Sequence, residues 1–183
     1  LVVHDIWAHL VDLHHIELKK NTRLIGILGH DVYQDFEVFI DFQSKVIVLT
    51  RVDKKGIRID TLAPYEVPYD SMEFELRHHL IIVDTKVNNV RLKMILDSGA
   101  ELNLIDRQVN RKVMDKFTII KRVNLLGVGN KEVEVLAGVL NDVQCGNQYS
   151  DKMNTLLTSL DEINQSFDVN VQGVLGYEFL KKR

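Results

Sequence analysis

The run Ile95-Leu96-Asp97-Ser98-Gly99-Ala100 sets an acid at the end of an apolar stretch and follows it with three small residues. A carboxylate at a strand end, in a turn where Gly99 lets another backbone come close, is an arrangement that presents an acid rigidly. Such an acid can activate water if a second carboxylate shares the work. The ionised group takes the proton, and the protonated partner polarises a carbonyl. Two close carboxylates cannot both ionise cheaply, so they share a proton and titrate as a pair. On the tripeptide alone, a carboxylate that merely caps its own turn is the commoner arrangement.

Other reactive residue types lead to less. His14-His15 and His78-His79 are adjacent pairs, which share a face on neither helix nor strand, so neither makes a two-ligand metal site. Ser98 has no Gly-x-Ser-x-Gly elbow around it. Gly127-Val128-Gly129 lacks the third glycine of a dinucleotide loop and reads as a hairpin turn. Asp106 is a second nearby carboxylate, with surface or turn placement as its better reading. The single Cys145 excludes an intrachain disulfide and suits a core or strand-end thiol. Trp7, with Ile6, Leu10 and Leu13, reads as core or as an edge that meets another lobe. No metal and no cofactor is expected.

The elements that would position Asp97 come with a repeat. A shift of 147 lays residues 13–34 over 160–181 without a gap. Gly26-Ile27-Leu28-Gly29 then meets Gly173-Val174-Leu175-Gly176, and Asp12 meets Ser159, both good helix N-cap types. Each copy reads as strand, capped short helix, strand, Gly-aliphatic-Leu-Gly, and a second short helix. A hairpin over 36–49 follows the first copy. Residues 52–72 read as a connection with a short strand at 57–62. Further strands are expected at 73–76, 80–87, 90–96, 125–128 and 132–143, with a hairpin turn at Asn88-Asn89 and a helix near 107–116. The class is mainly β with short helices.

Composition fits a globular chain: 183 residues, 45% apolar, 27% charged, net charge −3. No basic patch suggests a nucleic-acid partner, and no apolar run approaches the roughly 18 residues of a membrane span. The start, Leu1-Val2-Val3-His4-Asp5, reads as an interior start of something longer.

Taken in order, Ile95 to Ala100, Asn103-Leu104-Ile105-Asp106, Gly127-Val128-Gly129 and Gly173-Val174-Leu175-Gly176-Tyr177-Glu178-Phe179-Leu180 resemble the retropepsin-like aspartic protease family. That resemblance implies acid-protease lobes of the retropepsin or pepsin kind. The expected division is the C-terminal half of a first lobe at 1–51, a connection at 52–72, and the N-terminal and central part of a second lobe at 73–183. It makes Asp97 the catalytic acid, with Ser98 bracing the loops through its hydroxyl, Gly99 admitting substrate backbone and Ala100 completing the motif. Gly127, Val128 and Gly129 would lie in or near a flap, although Asn130 departs from the commonest flap pattern. The implied partner is a peptide or protein substrate, and bacterial relatives by resemblance are often exported. The second Asp would come from a missing N-terminal lobe or a homodimer. Asp97 precedes Gly173 by 76 residues, so its counterpart in the first copy would fall about 50 residues before Leu1. Alternatively the 36–49 hairpin completes the second lobe in a permuted or swapped order. Two other classes stay open: a pseudoprotease that binds peptide without cleaving it, and a purely structural β domain.

Overall fold

The computed structural model describes residues 7–60, 62, 68, 70–126 and 132–181. The chain is mainly β with short helices and divides into two compact units, Leu1–Glu66 and Val67–Arg183.

In the first unit, α1 (His14–Lys20) starts where Asp12 Oδ1 accepts the His14 N–H at 2.8 Å. It ends at Asn21, whose φ of 47° lies in the left-handed region that Asn tolerates at a helix end. An extended stretch leads to α2 (His30–Tyr33) and then to β1 (Phe36–Asp41) and β2 (Val46–Arg51). These two strands pair antiparallel as a two-stranded sheet, from Phe36 opposite Arg51 to Asp41 opposite Val46. Asp41 Oδ1 closes their turn by accepting the Gln43 and Ser44 N–H groups. The expected strand at 57–62 is replaced by a single Val52–Arg58 bridge. Asp53 Oδ1 accepts from Lys55 and Ile57, and Gly56 takes φ 77°, so a tight turn uses the backbone a strand would need. No strand forms in residues 7–13, and Trp7 is 93% exposed rather than core.

The second unit holds one sheet of eight strands: β3 (Glu75–Arg77), β4 (Leu80–Val87), β5 (Val90–Leu96), β6 (Asn103–Asp106), β7 (Phe117–Leu126), β8 (Glu132–Cys145), β9 (Gln148–Thr158) and β10 (Gly173–Leu175). Their order is β3-β4-β5-β10-β6-β9-β8-β7, and β4 also pairs with β8, so the sheet curls back on itself. Short helix α3 (Arg111–Met114) lies between β6 and β7, α4 (Asp161–Ser166) lies between β9 and β10, and α5 (Tyr177–Leu180) follows β10. His78-His79 and Asn88-Asn89 both take positive φ, as the central pair of a tight hairpin turn requires. His78-His79 is thus the turn between β3 and β4. Along β4 the residues from Val83 to Val87 alternate buried and exposed, giving one face to a core of Val83, Val87, Met94, Ile105, Leu140 and Leu175.

The helix expected near 107–116 is only four residues long. Asn110 Oδ1 caps its start by accepting the Lys112 N–H, and residues 107–109 belong to a turn that Asp106 holds. Strand β7 begins well before residue 125. Its pairing with β8 slips between Ile119 and Lys121, and this bulge breaks the alternation that would mark the strand in sequence.

The repeat is present in the backbone. Shifted by 147, α2 coincides with α5, and α1 and α4 start together. Leu13 (φ −101°, ψ 3°) matches Leu160 (−104°, 14°), and Gly29 (−103°, −171°) matches Gly176 (−98°, −165°). The side-chain bonds match too. Asp12 receives the His14 N–H as Ser159 Oγ receives that of Asp161, and Glu17 receives the Leu24 N–H as Asn164 receives that of Val171. Different residue types make the same bonds, which points to a shared local fold.

Candidate active site

Asp97 follows the last residue of β5. Beside β5 runs β10, parallel, with Val174 opposite Ile95 and Leu175 opposite Leu96. The far edge of β10 is antiparallel to β6. The loop from β5 to β6 must therefore pass over the end of β10, and that crossing fixes the acid. The Asp97 N–H donates to the Leu175 carbonyl at 3.0 Å. Gly99 N–H donates to Asp97 Oδ1 at 2.8 Å, and the Tyr177 N–H donates to the Ala100 carbonyl at 2.7 Å. One carboxylate oxygen thus caps the turn, as the tripeptide alone suggested, while the side chain stays exposed.

Close packing beneath the turn depends on two glycines. A Cβ on Gly176 would sit 2.5 Å from the Ala100 carbonyl oxygen and 2.7 Å from that of Leu102. A Cβ on Gly173 would lie 2.7 Å from the Leu104 carbonyl oxygen. The Gly176 N–H donates to Asn103 Oδ1 at 2.9 Å, and Asn103 Nδ2 donates to the Asn154 carbonyl at 2.8 Å. Asn103 is fully buried, so this carboxamide ties the site's floor, β10 and β9 together where a buried polar group needs its partners. Its role was not anticipated. The available signal was a carboxamide opening an apolar strand.

Asp97, Ser98, Gly99 and Ala100 lie together in this one turn. Ser98 is exposed and makes no hydrogen bond to a described residue. Gly127, Val128 and Gly129 lie outside the described residues, between β7 and β8. Asp106 has a turn role but is buried, at 5% exposure. Its Oδ1 accepts from Gln108 and its Oδ2 from Leu160, anchoring the start of α4. Cys145 is buried, with Sγ 3.8 Å from Met72 Sδ. Among the described residues, no three His, Cys, Asp or Glu side chains group as metal ligands. No helix there is long and apolar enough to cross a membrane.

A family model described as aspartyl protease matches residues 83–179. The chain belongs to the aspartyl protease family. The match begins in β4, takes in the Asp97 turn and its glycine floor, and ends in α5. The general function of this aspartyl protease is therefore that of an aspartic protease. The chain is also similar to a solved retropepsin-like aspartic protease from Rickettsia conorii, at 18% identity and a TM-score of 0.42, covering 60% of this chain and 75% of that one. No curated protein matches the chain.

Proposed function

We propose that this aspartyl protease is an endopeptidase in which Asp97 is one of two carboxylates that activate water against a peptide bond. The observation that carries this reading is the Asp97 turn itself. An exposed acid is held at a strand end by a main-chain bond to Leu175 and by Gly99 on its own carboxylate. Such fixing holds the acid in place before substrate arrives, which lowers the reorganisation cost of catalysis. The ionised member of the pair takes a proton from water, the hydroxide attacks the carbonyl carbon, and the protonated member donates to the carbonyl oxygen. Collapse then expels the amine, which leaves with a proton.

One Asp-Ser-Gly occurs in the chain, so the second carboxylate comes from another lobe upstream or from a homodimer partner. Ser98 and Ala100 complete the turn, and Gly99 leaves room for substrate backbone. Proteolysis of an unbiased peptide mixture tests the reading, with Asp97→Asn as the control. Loss of cleavage in the variant is the expected result. Peptide binding without cleavage in either form would instead make the lobe a pseudoprotease.

A further inference from the structure

The outer edge of β4 is covered in two stretches that do not meet. Strand β3 pairs with it as far as Ile82, and β8 takes over at Thr85. Asp84 lies in the interval, opposite Lys93 of β5. The Lys93 N–H donates to Gln172 Oε1 and the Lys93 carbonyl accepts the Gln172 N–H, both at 2.8 Å. Lys93 therefore turns its main chain away from β4. By the alternation of an antiparallel ladder, Asp84 turns its own N–H and carbonyl to the uncovered edge. Neither group has a hydrogen-bond partner among the described residues.

The chain that leads into β3 bridges this interval without closing it. Met72 packs on the end of β8, with Sδ 3.8 Å from Cys145 Sγ, and Glu75 enters the sheet opposite Ile82. Between these anchors Glu73 and Phe74 form no pair with β4. The result is a cavity of about 220 Å³ lined by Glu73, Phe74, Glu75, Ile82, Asp84 and Lys93. Ile82 is buried and Phe74 is half-exposed, so part of the lining is apolar. Lys93 Nζ is held by Glu75 at 2.7 Å, and Arg77 bonds to the same carboxylate. The carboxylates of Glu73 and Asp84 take no hydrogen bond among the described residues. Three carboxylates against one ammonium leave the lining with an excess of negative charge.

We propose that this cavity is a docking site for an arginine side chain carried on an extended segment of a protein partner. The lining selects the occupant. An apolar stem matches Ile82, and the Phe74 ring offers a face to a guanidinium plane. The guanidinium is a rigid planar fork of N–H donors, and the acceptors it meets are the Glu73 and Asp84 carboxylates and the Asp84 carbonyl. The Asp84 N–H is left for a carbonyl of the same segment. An anionic ligand would meet like charge, and a wholly apolar one would cover these polar groups without pairing them. The inference stands apart from the proposed protease reading, since none of these residues belongs to the Asp97 turn.

Amide chemical-shift titration of the full 183-residue chain tests it. The probes are blocked tripeptides, acetyl-Gly-X-Gly-amide, in which X is arginine, lysine or citrulline; the last keeps the arginine shape without its charge. The arginine peptide is expected to give saturable shifts at residues 73–75 and 82–84. Affinity is expected to fall at least about threefold for lysine and about tenfold for citrulline. Glu73→Gln and Asp84→Asn should each weaken arginine binding about fivefold and leave the rest of the spectrum unchanged, because neither carboxylate holds a bond in the fold. Asp151→Asn, an exposed carboxylate on β9, should leave binding as it is. No saturable shift at these residues would overturn the proposal, as would equal affinity for the citrulline peptide. Lysine bound as tightly as arginine would overturn the choice of a guanidinium. A loss in Asp151→Asn as large as that in Asp84→Asn would also overturn it, by reducing the effect to a general attraction to acidic surface.

Discussion

Asn103 and Asp106 hold the site by satisfying main-chain groups that the fold buries. Replacing Asn103 with Ala leaves the Gly176 N–H and the Asn154 carbonyl without their partner. At about 1–3 kcal/mol for each unsatisfied group, the expected loss is about 2–4 kcal/mol of unfolding free energy, measured by denaturant titration. Asp106→Ala should cost a similar amount, since the Leu160 and Gln108 N–H groups lose their acceptor. Asp97→Asn differs in kind. The side chain is exposed, and a carboxamide oxygen still accepts from Gly99, so the melting temperature should shift little. At this scale the turn at Asp97 was legible because it is local, spanning four consecutive residues. Asn103 was not, because its partner Gly176 lies 73 residues away and only the sheet brings them together.

Among the elements, β10 and its two glycines decide whether the turn can form. Gly176→Ala places a carbon against two carbonyl oxygens, and backbone cannot yield as a flexible side chain can. The expected cost is about 1–3 kcal/mol, in the range of overpacking, with altered amide shifts at residues 97–102. The β8–β9 hairpin carries a separate, pH-dependent contact. Lys116 and the Tyr149 hydroxyl bond to Asp142 and hold its carboxyl below the ordinary range, while Asp142 holds the Tyr149 phenol above its own. A depressed carboxyl stabilises the fold above its unfolded pKa and stops doing so as pH falls through the folded value, below about pH 4. A raised phenol stabilises below about pH 10 and stops as pH climbs past that. NMR titration should show both shifts, and Asp142→Asn should return the Tyr149 shift towards its ordinary value. Elements were legible where one rule governs them, as in β4, β5, the Asn88-Asn89 turn and the 36–49 hairpin. They were missed where a bulge (β7) or a cap (α3) overrides the pattern.

At the scale of the whole molecule, the two units differ in how well they bury themselves. The second has two clusters of buried apolar residues, one around Met94 and Leu175 and one around Ile95 and Val174, while in the first only Thr50 among the described residues is buried. Both faces of the β1–β2 hairpin carry exposed apolar residues, Val38, Ile40 and Ile47 on one and Phe39 and Val46 on the other. A lone two-stranded hairpin is marginal in water. Trypsin should therefore cut the 1–183 chain first within residues 7–60 and leave a resistant fragment from the second unit, read by mass spectrometry. The mainly β class and the duplication were visible in sequence because the repeat preserves its helix caps and glycines. What sequence could not show was that one copy is enclosed and the other is not.

The most direct measurement for the central claim is cleavage of an unbiased peptide mixture between acid and neutral pH, comparing wild type with Asp97→Asn at several protein concentrations. The account predicts cleavage that the substitution abolishes while the fold survives, in the polypeptide that supplies both carboxylates. A rate rising faster than concentration would assign the second carboxylate to a homodimer. Cleavage that persists undiminished in Asp97→Asn would contradict the account, because the acid at the end of β5 would then not be the catalytic one.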